Sequence, residues 1–238
     1  VRLPANPGIV GIQRPGVNAC SRQGRVLCEV CALETTMAKD PYELCILYLH
    51  HRDDAVTRLH MDLLVRSNPF ALIVPIVDAP ESALPLSVDV SQLPTPWNTT
   101  NKWRSCDTMI YRWFAHRTCD AKRYVVLEYD CWCDVDLVEF YAEYADADVV
   151  TSHYDVGDKP WAWFVERDRL GPEDRPFAAG VSPIAGTMFT HAALEQVCAM
   201  ASREDVYCEL RLGTAIARCG LRVRTLEGKK QKRIDYLE

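Results

Sequence analysis

Arg123-Tyr124-Val125-Val126-Leu127-Glu128-Tyr129-Asp130 is the stretch that decides the fold: an apolar run ending in two carboxylates one residue apart. The run Arg123–Leu127 is continuous rather than alternating in polarity, which suits a parallel strand buried on both faces. In open α/β sheets ligands bind beyond the carboxyl ends of the strands, where loops diverge and backbone groups are free. Glu128 and Asp130 occupy such an end. Two carboxylates at such an end can divide the work, one holding a metal ion while the other meets a different part of the same ligand, and hard oxygen donors suit magnesium or manganese. The alternative is that both acids simply end the strand at solvent.

Working outward, Tyr42–His50 carries a second continuous run, Leu44-Cys45-Ile46-Leu47-Tyr48-Leu49, followed by the polar loop His50-His51-Arg52-Asp53-Asp54. Val56, Leu59, His60, Leu63 and Leu64 then fall at helical spacing up to Ser67-Asn68-Pro69, and Ala71–Val77 is another apolar run. The pattern predicts a strand-loop-helix-strand unit with parallel pairing and a right-handed crossover. Pro80–Pro96 reads as a loop, Trp103–Phe114 as a helix, Asp136–Tyr144 as a helix and Ala147–Thr151 as a short strand. Residues 152–176 form a long surface connection, of the kind that is more often functional than ornamental. Gly180–Phe189 supplies small residues and a further strand. Thr190 caps a helix over Ala192–Ala201, Val206–Cys219 is a helix stopped by Gly220, and Leu221–Leu226 is a last strand.

The composition bounds the chain's class. It has 238 residues, 48% hydrophobic and 25% charged, with 11 glycines and 14 prolines, which excludes a disordered tail or a collagen-like rod. One domain is expected: an irregular N-terminal segment over 1–40 packed on a body at 41–228, and a basic tail at 229–238 containing Lys229-Lys230-Gln231-Lys232-Arg233. A net charge of −6 argues against a broad cationic nucleic-acid surface. The 11 cysteines are odd in number and scattered, unlike a small secreted disulfide scaffold, so most are expected as reduced core residues of a cytoplasmic protein. No apolar stretch approaches the roughly 18 residues needed to span a bilayer, and no integral membrane segment is expected.

The string Val125–Asp130 resembles the D-x-D region of glycosyltransferases of the GT-A fold, family 2-like, with Glu128 in place of the usual first aspartate. Two further segments fall in the order that family requires. Ala178–Thr187 resembles its small-residue acceptor and donor loop, and Cys208–Val223 is similar to its acidic motif, helix, glycine and closing strand. The resemblance covers about residues 42–226 and implies a GT-A-like, Rossmann-related α/β domain with a central mixed, mainly parallel sheet flanked by helices. It also implies transfer of a sugar from a nucleotide-diphosphate donor to an acceptor hydroxyl, aided by Mn2+ or Mg2+. Asp130 would hold the metal. His50, Arg52, Asp53, Asp107, Glu128, Gly186 and Thr187 would meet the donor, and Glu209 would be the base of an inverting reaction. Trp161 and Trp163 would form an acceptor platform, the alternative being an apolar plug that pins the loop to the core.

Three other readings stay open. Cys28-x-x-Cys31, Cys131-x-Cys133 and His50-His51 could form a zinc module, although a strong zinc signature has two Cys-x-x-Cys pairs. A nucleotidyltransferase would normally place a glycine-rich basic loop after the first strand, and the loop after Leu49 has no glycine. A non-catalytic nucleotide-sugar-binding protein shares the motif order. No G-x-S-x-G, P-loop or G-x-G-x-x-G pattern is present.

Overall fold

The computed structural model describes residues 41–97, 103–156, 162–182, 185–226 and 234–236. The segment expected to be irregular at 1–40 lies outside the described residues, as do Cys28, Cys31 and the lysine run of the tail. The elements run β1 (Tyr42–Leu49), α1 (Ala55–Ser67), β2 (Leu72–Val77), β3 (Val88–Asp89), α2 (Asp107–His116), β4 (Ala121–Glu128), β5 (Cys131–Cys133), α3 (Leu137–Phe140) and β6 (Val149–Thr151). There follow β7 (Tyr154–Val156), β8 (Ala179–Val181), β9 (Ala185–Thr190), α4 (His191–Met200), α5 (Cys208–Arg218), β10 (Val223–Thr225) and β11 (Ile234–Tyr236).

Seven strands form the central sheet in the order β10-β6-β9-β4-β1-β2-β3. All neighbours are parallel except β9, which runs antiparallel to both β4 and β6. This is the α/β architecture with a mixed, mainly parallel sheet expected of a GT-A-like, Rossmann-related domain. The continuous apolar runs end up where a doubly covered sheet needs them: Leu44 to Leu49 and Tyr124 to Leu127 are each exposed by 1% or less.

The alternation along each strand divides the core into two. Cys45, Leu47, Leu49, Tyr124 and Val126 pack with α2, α4 and α5 on one face. Leu44, Ile46, Tyr48, Val125 and Leu127 pack on the other with Leu64 of α1, with α3, and with Ile234. Local chemistry sets the helix ends. The Asp54 carboxylate accepts from Thr57 N at 2.8 Å and starts α1, Thr190 Oγ1 accepts from Ala193 N and starts α4, and Gly220, at φ 64°, lets the chain leave α5.

Several expectations are corrected. The stretch Pro80–Pro96 is not only a loop, because β3 lies within it and extends the sheet edge beside β2. The span 152–176 contains β7 and the 3-10 helices at Ala162–Arg169 and, just beyond, Arg175–Phe177. It is pinned inward by Glu166, which pairs with Arg104 and Arg169 and accepts from Tyr207 N at 3.0 Å. The strand expected over Gly180–Phe189 is two strands in two sheets: β8 pairs with β7, while β9 enters the central sheet. Ile234 of the tail region is 1% exposed, and β11 pairs antiparallel with β5.

Candidate active site

The carboxyl ends of β1, β2 and β4 open on one cavity of about 260 Å³. It is lined by Leu49, His50 and His51 from β1, Asp78 from β2, Glu128 from β4, and Cys106 and Met109 from the start of α2. Val126 and Leu127 pair with Thr187 and Ala185, so the irregularity in the β4–β9 register lies at Gly186 of β9 and leaves the alternation of β4 intact. Glu128 follows Tyr124 and Val126 onto the α2–α5 face and so meets the cavity.

Burial pushes the Glu128 carboxyl up to about 7, and the negative charges of Asp130 and Glu209 push it the same way. No cation pairs with it among the described residues. Asp130 sits in the turn after β4. That turn is held by Tyr129 N donating to Leu49 O at 2.9 Å and by the His60 ring, whose Nδ1 lies 2.6 Å from Tyr129 O. Glu209 is in the first turn of α5, half-buried, its carboxyl pushed up by burial, and it accepts a hydrogen bond from Cys208 Sγ at 3.1 Å. The arginines that could have neutralised Glu209 on its own helix are engaged elsewhere. Arg211 pairs with Asp107 at 2.7 Å and Arg218 with Asp174 at 2.6 Å. Three carboxylates therefore share one field at the strand ends with no cation between them among the described residues.

The β1–α1 loop brings two histidines and Arg52 to the same end of the sheet. Burial lowers the His50 pKa, so the neutral ring donates from Nδ1 to Arg52 O (3.1 Å) and accepts at Nε2 from Ser87 Oγ (2.8 Å). With both nitrogens engaged, His50 is a wall of the cavity. Arg52 is exposed, lies over the Tyr129 ring at 5.0 Å, and has no carboxylate partner among the described residues. Asp53 is taken up by a two-point pair with Arg58, at 2.6 and 2.7 Å.

Three residues expected to touch a donor are placed in the core. Asp107 is fully buried, its carboxylate on Arg211. Thr187 is fully buried in β9, bonded to Thr151 Oγ1 and Ser182 O. Gly186 has φ 76°, and a Cβ there would come within 2.9 Å of Ile234 and 3.0 Å of the Tyr141 hydroxyl, which donates to Gly186 O. Its smallness serves packing beneath the sheet.

The small residues at Ala179 and Gly180 have a similar cause. Gly213 of α5 packs backbone to backbone on β8, where a Cβ would lie 2.3 Å from Ala179 O. Trp161 lies outside the described residues, and Trp163 belongs to the 3-10 helix Ala162–Arg169. Phe164 of that helix packs with Leu170, Ala178, Val206 and Leu210.

Asp78 is the cavity residue that the sequence reading missed. The signal was present, since Asp78 directly follows the apolar run Ala71–Val77 as Glu128 follows Tyr124–Leu127. No group of three or more His, Cys, Asp or Glu side chains converges as a ready metal cage among the described residues. The donor set fits a cation held in the magnesium manner, by one or two carboxylates with the remaining positions left to phosphate oxygens and water. The uncompensated charge around Glu128 is the feature such a cation would relieve. Among the described residues no helix is long and apolar enough to cross a membrane.

No protein-family model matches the chain, and no curated protein matches it. Among solved structures it is similar to the mannosyltransferase PcManGT from Pyrobaculum calidifontis, solved in complex with GDP-Man and Mn2+, with a TM-score of 0.38 and 12% identity. The match covers 82% of this chain and 59% of that one, so the chain spans less than two thirds of that protein's length. At that score the chemistry has to be read from this chain's own side chains.

Proposed function

We propose that the chain is a glycosyltransferase that binds a nucleotide-diphosphate sugar at the carboxyl ends of β1, β2 and β4 and transfers the sugar to an acceptor hydroxyl. The observation that carries this reading is the field that Asp130 and Glu209 add to Glu128 at a strand-end cavity, with Arg52 exposed in the adjoining β1–α1 loop. That arrangement offers a cationic side chain for phosphate, oxygen ligands for a divalent ion, and a separate carboxylate on a different element.

The nucleotide lies along the β1 end against His50 and His51, and Arg52 reaches the diphosphate. Asp130, with Glu128 beside it, would hold Mn2+ or Mg2+, which when bound neutralises charge developing on the departing diphosphate. Glu209 takes the proton from the acceptor hydroxyl as it attacks the anomeric carbon, and the reaction inverts configuration. Partial burial raises the carboxyl of Glu209 from its ordinary value, which makes it a stronger base than a solvated glutamate. The α5 helix presents it at a fixed place because Arg211 anchors the segment before it, donating to Glu204 O at 3.2 Å and Val206 O at 2.8 Å.

The test is a thermal-shift screen of nucleotide diphosphates and nucleotide sugars with and without manganese, followed by turnover assays. Metal-dependent stabilisation is expected in the parent and lost in Asp130→Ala. Glu209→Gln is expected to keep donor binding and to lose turnover by roughly 10²–10⁴-fold. Undiminished donor binding in Asp130→Ala would remove the metal assignment. Donor binding with no transfer to any hydroxyl acceptor, in the parent as in Glu209→Gln, would leave a nucleotide-sugar-binding protein.

A further inference from the structure

The first turn of α5 places a thiol against a thiol. Cys106 caps the N-terminus of α2, Cys208 opens α5, and their Sγ atoms lie 3.3 Å apart across the contact between the two helices. Both are reduced. A disulfide needs the sulfurs about 2.05 Å apart, so closure asks for a movement of little more than 1 Å. We propose that Cys106 and Cys208 form a reversible disulfide that locks α2 to α5 behind the strand-end cavity, formed by a small peroxide that enters through that cavity.

Access and proton traffic are both built in. Cys106 is 7% exposed and Cys208 only 2%, so large oxidants are excluded, but Cys106 lines the 260 Å³ cavity, which has ample room for a molecule of hydrogen peroxide. The hydrogen bonds run in one direction, from Cys106 Sγ to Cys208 Sγ and from Cys208 Sγ to Glu209 Oε2. Glu209 is thus placed to take the Cys208 proton. The hydrogen bond from Cys106, and then burial, push the Cys208 thiol up. That same bond lowers the Cys106 thiol, but burial and nearby acids outweigh it and leave the thiol raised, which makes the first step slow at neutral pH and faster in mild alkali.

In that first step Cys106 loses its proton and its sulfur attacks one oxygen of hydrogen peroxide. The O–O bond breaks, leaving a sulfenic acid on Cys106, and the departing hydroxide takes up the proton as water. Cys208 sulfur then attacks the sulfenic sulfur. Its proton passes by way of Glu209 to the hydroxide that leaves Cys106, giving a second water and the S–S bond. Two thiols lose two electrons and two protons, and one peroxide becomes two waters.

Closure also removes the Cys208 hydrogen bond to Glu209, so the lock perturbs the proposed base. That consequence rests on the transferase reading, whereas the covalent chemistry does not.

The experiment oxidises the whole 238-residue chain with stoichiometric hydrogen peroxide at about pH 8. Remaining thiols are alkylated and the digest is mapped by mass spectrometry. A crosslink joining the Cys106 and Cys208 peptides is expected, with a melting temperature raised on the order of 10 °C by closing so long a loop, and reversed by dithiothreitol. Cys106→Ser and Cys208→Ser should each abolish the reversible shift. Peptide mapping of the parent needs no variant to fold. Oxidation found on Cys119, Cys131 or Cys198 with no Cys106–Cys208 crosslink would overturn the proposal, as would the same reversible shift in Cys106→Ser. Nucleotide-sugar turnover of the crosslinked and reduced chains separates the two claims. A fall restored by dithiothreitol supports the lock acting on the site. A crosslink with unchanged turnover leaves the disulfide standing and removes the claim that the lock reaches the base.

Discussion

Asp107 and Glu128 lie on the same side of the sheet, and burial pushes both above the ordinary carboxylate range, to about 6 and about 7. The regions around them are opposite in kind. Asp107 is sealed at the α2–α5 contact with Arg211 at 2.7 Å, and neither side chain has any exposed surface. Glu128 borders an open cavity and has two further acids for company. A buried charge with a partner holds helices in register, whereas one held among like charges beside a cavity stays costly until something binds. The raised pKa is common to both, so it does not by itself mark a functional group; the absence of a partner does.

The largest effect is expected from breaking the closed region. Arg211→Met strands Asp107 in the core and should cost about 3–5 kcal/mol at pH 8 in urea unfolding. The cost should shrink toward pH 5. A carboxyl whose folded pKa is raised contributes stability that is complete below its unfolded value and is lost as pH climbs through the folded one, near 6 here. Without Arg211 that loss continues to higher pH. Tyr111 and Glu209 also face Asp107 and stay in place in the variant. A cost independent of pH would assign the effect to the two lost backbone bonds of Arg211.

Next comes the contact that seats α5. Gly213→Ala places a methyl 2.3 Å from Ala179 O, backbone against backbone, and neither side can yield by rotating a side chain. About 3 kcal/mol is expected, at the upper end for overpacking. A variant as stable as the parent would mean that β8 is free to move, and the small residues at Ala179 and Gly180 would again need another reason.

The open region should behave in the reverse sense. Glu128→Gln removes a charge that burial and its acidic neighbours disfavour, so the metal-free protein should gain about 1 kcal/mol in denaturant unfolding. Manganese-dependent binding of a nucleotide diphosphate should weaken at least tenfold. Stabilisation without loss of binding would sharpen the site to Asp130 alone.

The same contrast explains what the sequence disclosed. Tyr42–Leu49, Leu72–Val77 and Ala121–Glu128 were legible because strands buried on both faces need unbroken apolar runs, and Thr190 and Gly220 because caps act through neighbours in the chain. The strands β3, β5, β7, β8 and β11 have two or three residues and show no period. β9 inserts between β4 and β6 by pairing with distant segments. Asp107 and Arg211 are 104 residues apart, so each looks like an ordinary helix-surface charge until the fold joins them. Gly186, Thr187, Ala179 and Gly180 were legible as small, but smallness is shared by sites that admit a ligand and sites that admit a backbone. The acids at strand ends were the better guide, because a polar group there is placed by the strand itself.

The smallest effect concerns Asp53. It precedes the α1 cap in the β1–α1 loop, where a donor contact was expected, yet its carboxylate already accepts two hydrogen bonds from Arg58 on an exposed surface. Solvent and salt screen such a pair, so Asp53→Asn should leave the urea midpoint unchanged. Arg52 makes the sharper comparison one residue away. It has no carboxylate to neutralise it among the described residues, so Arg52→Ala should weaken nucleotide diphosphate binding by roughly tenfold, the effect of losing one charge-assisted bond. Equal losses in the two variants would show that Arg58 releases Asp53 when the donor arrives, making the loop as a whole the binding element. A loss confined to Arg52 would place the diphosphate at the arginine of the β1–α1 loop, which lies over the Tyr129 ring.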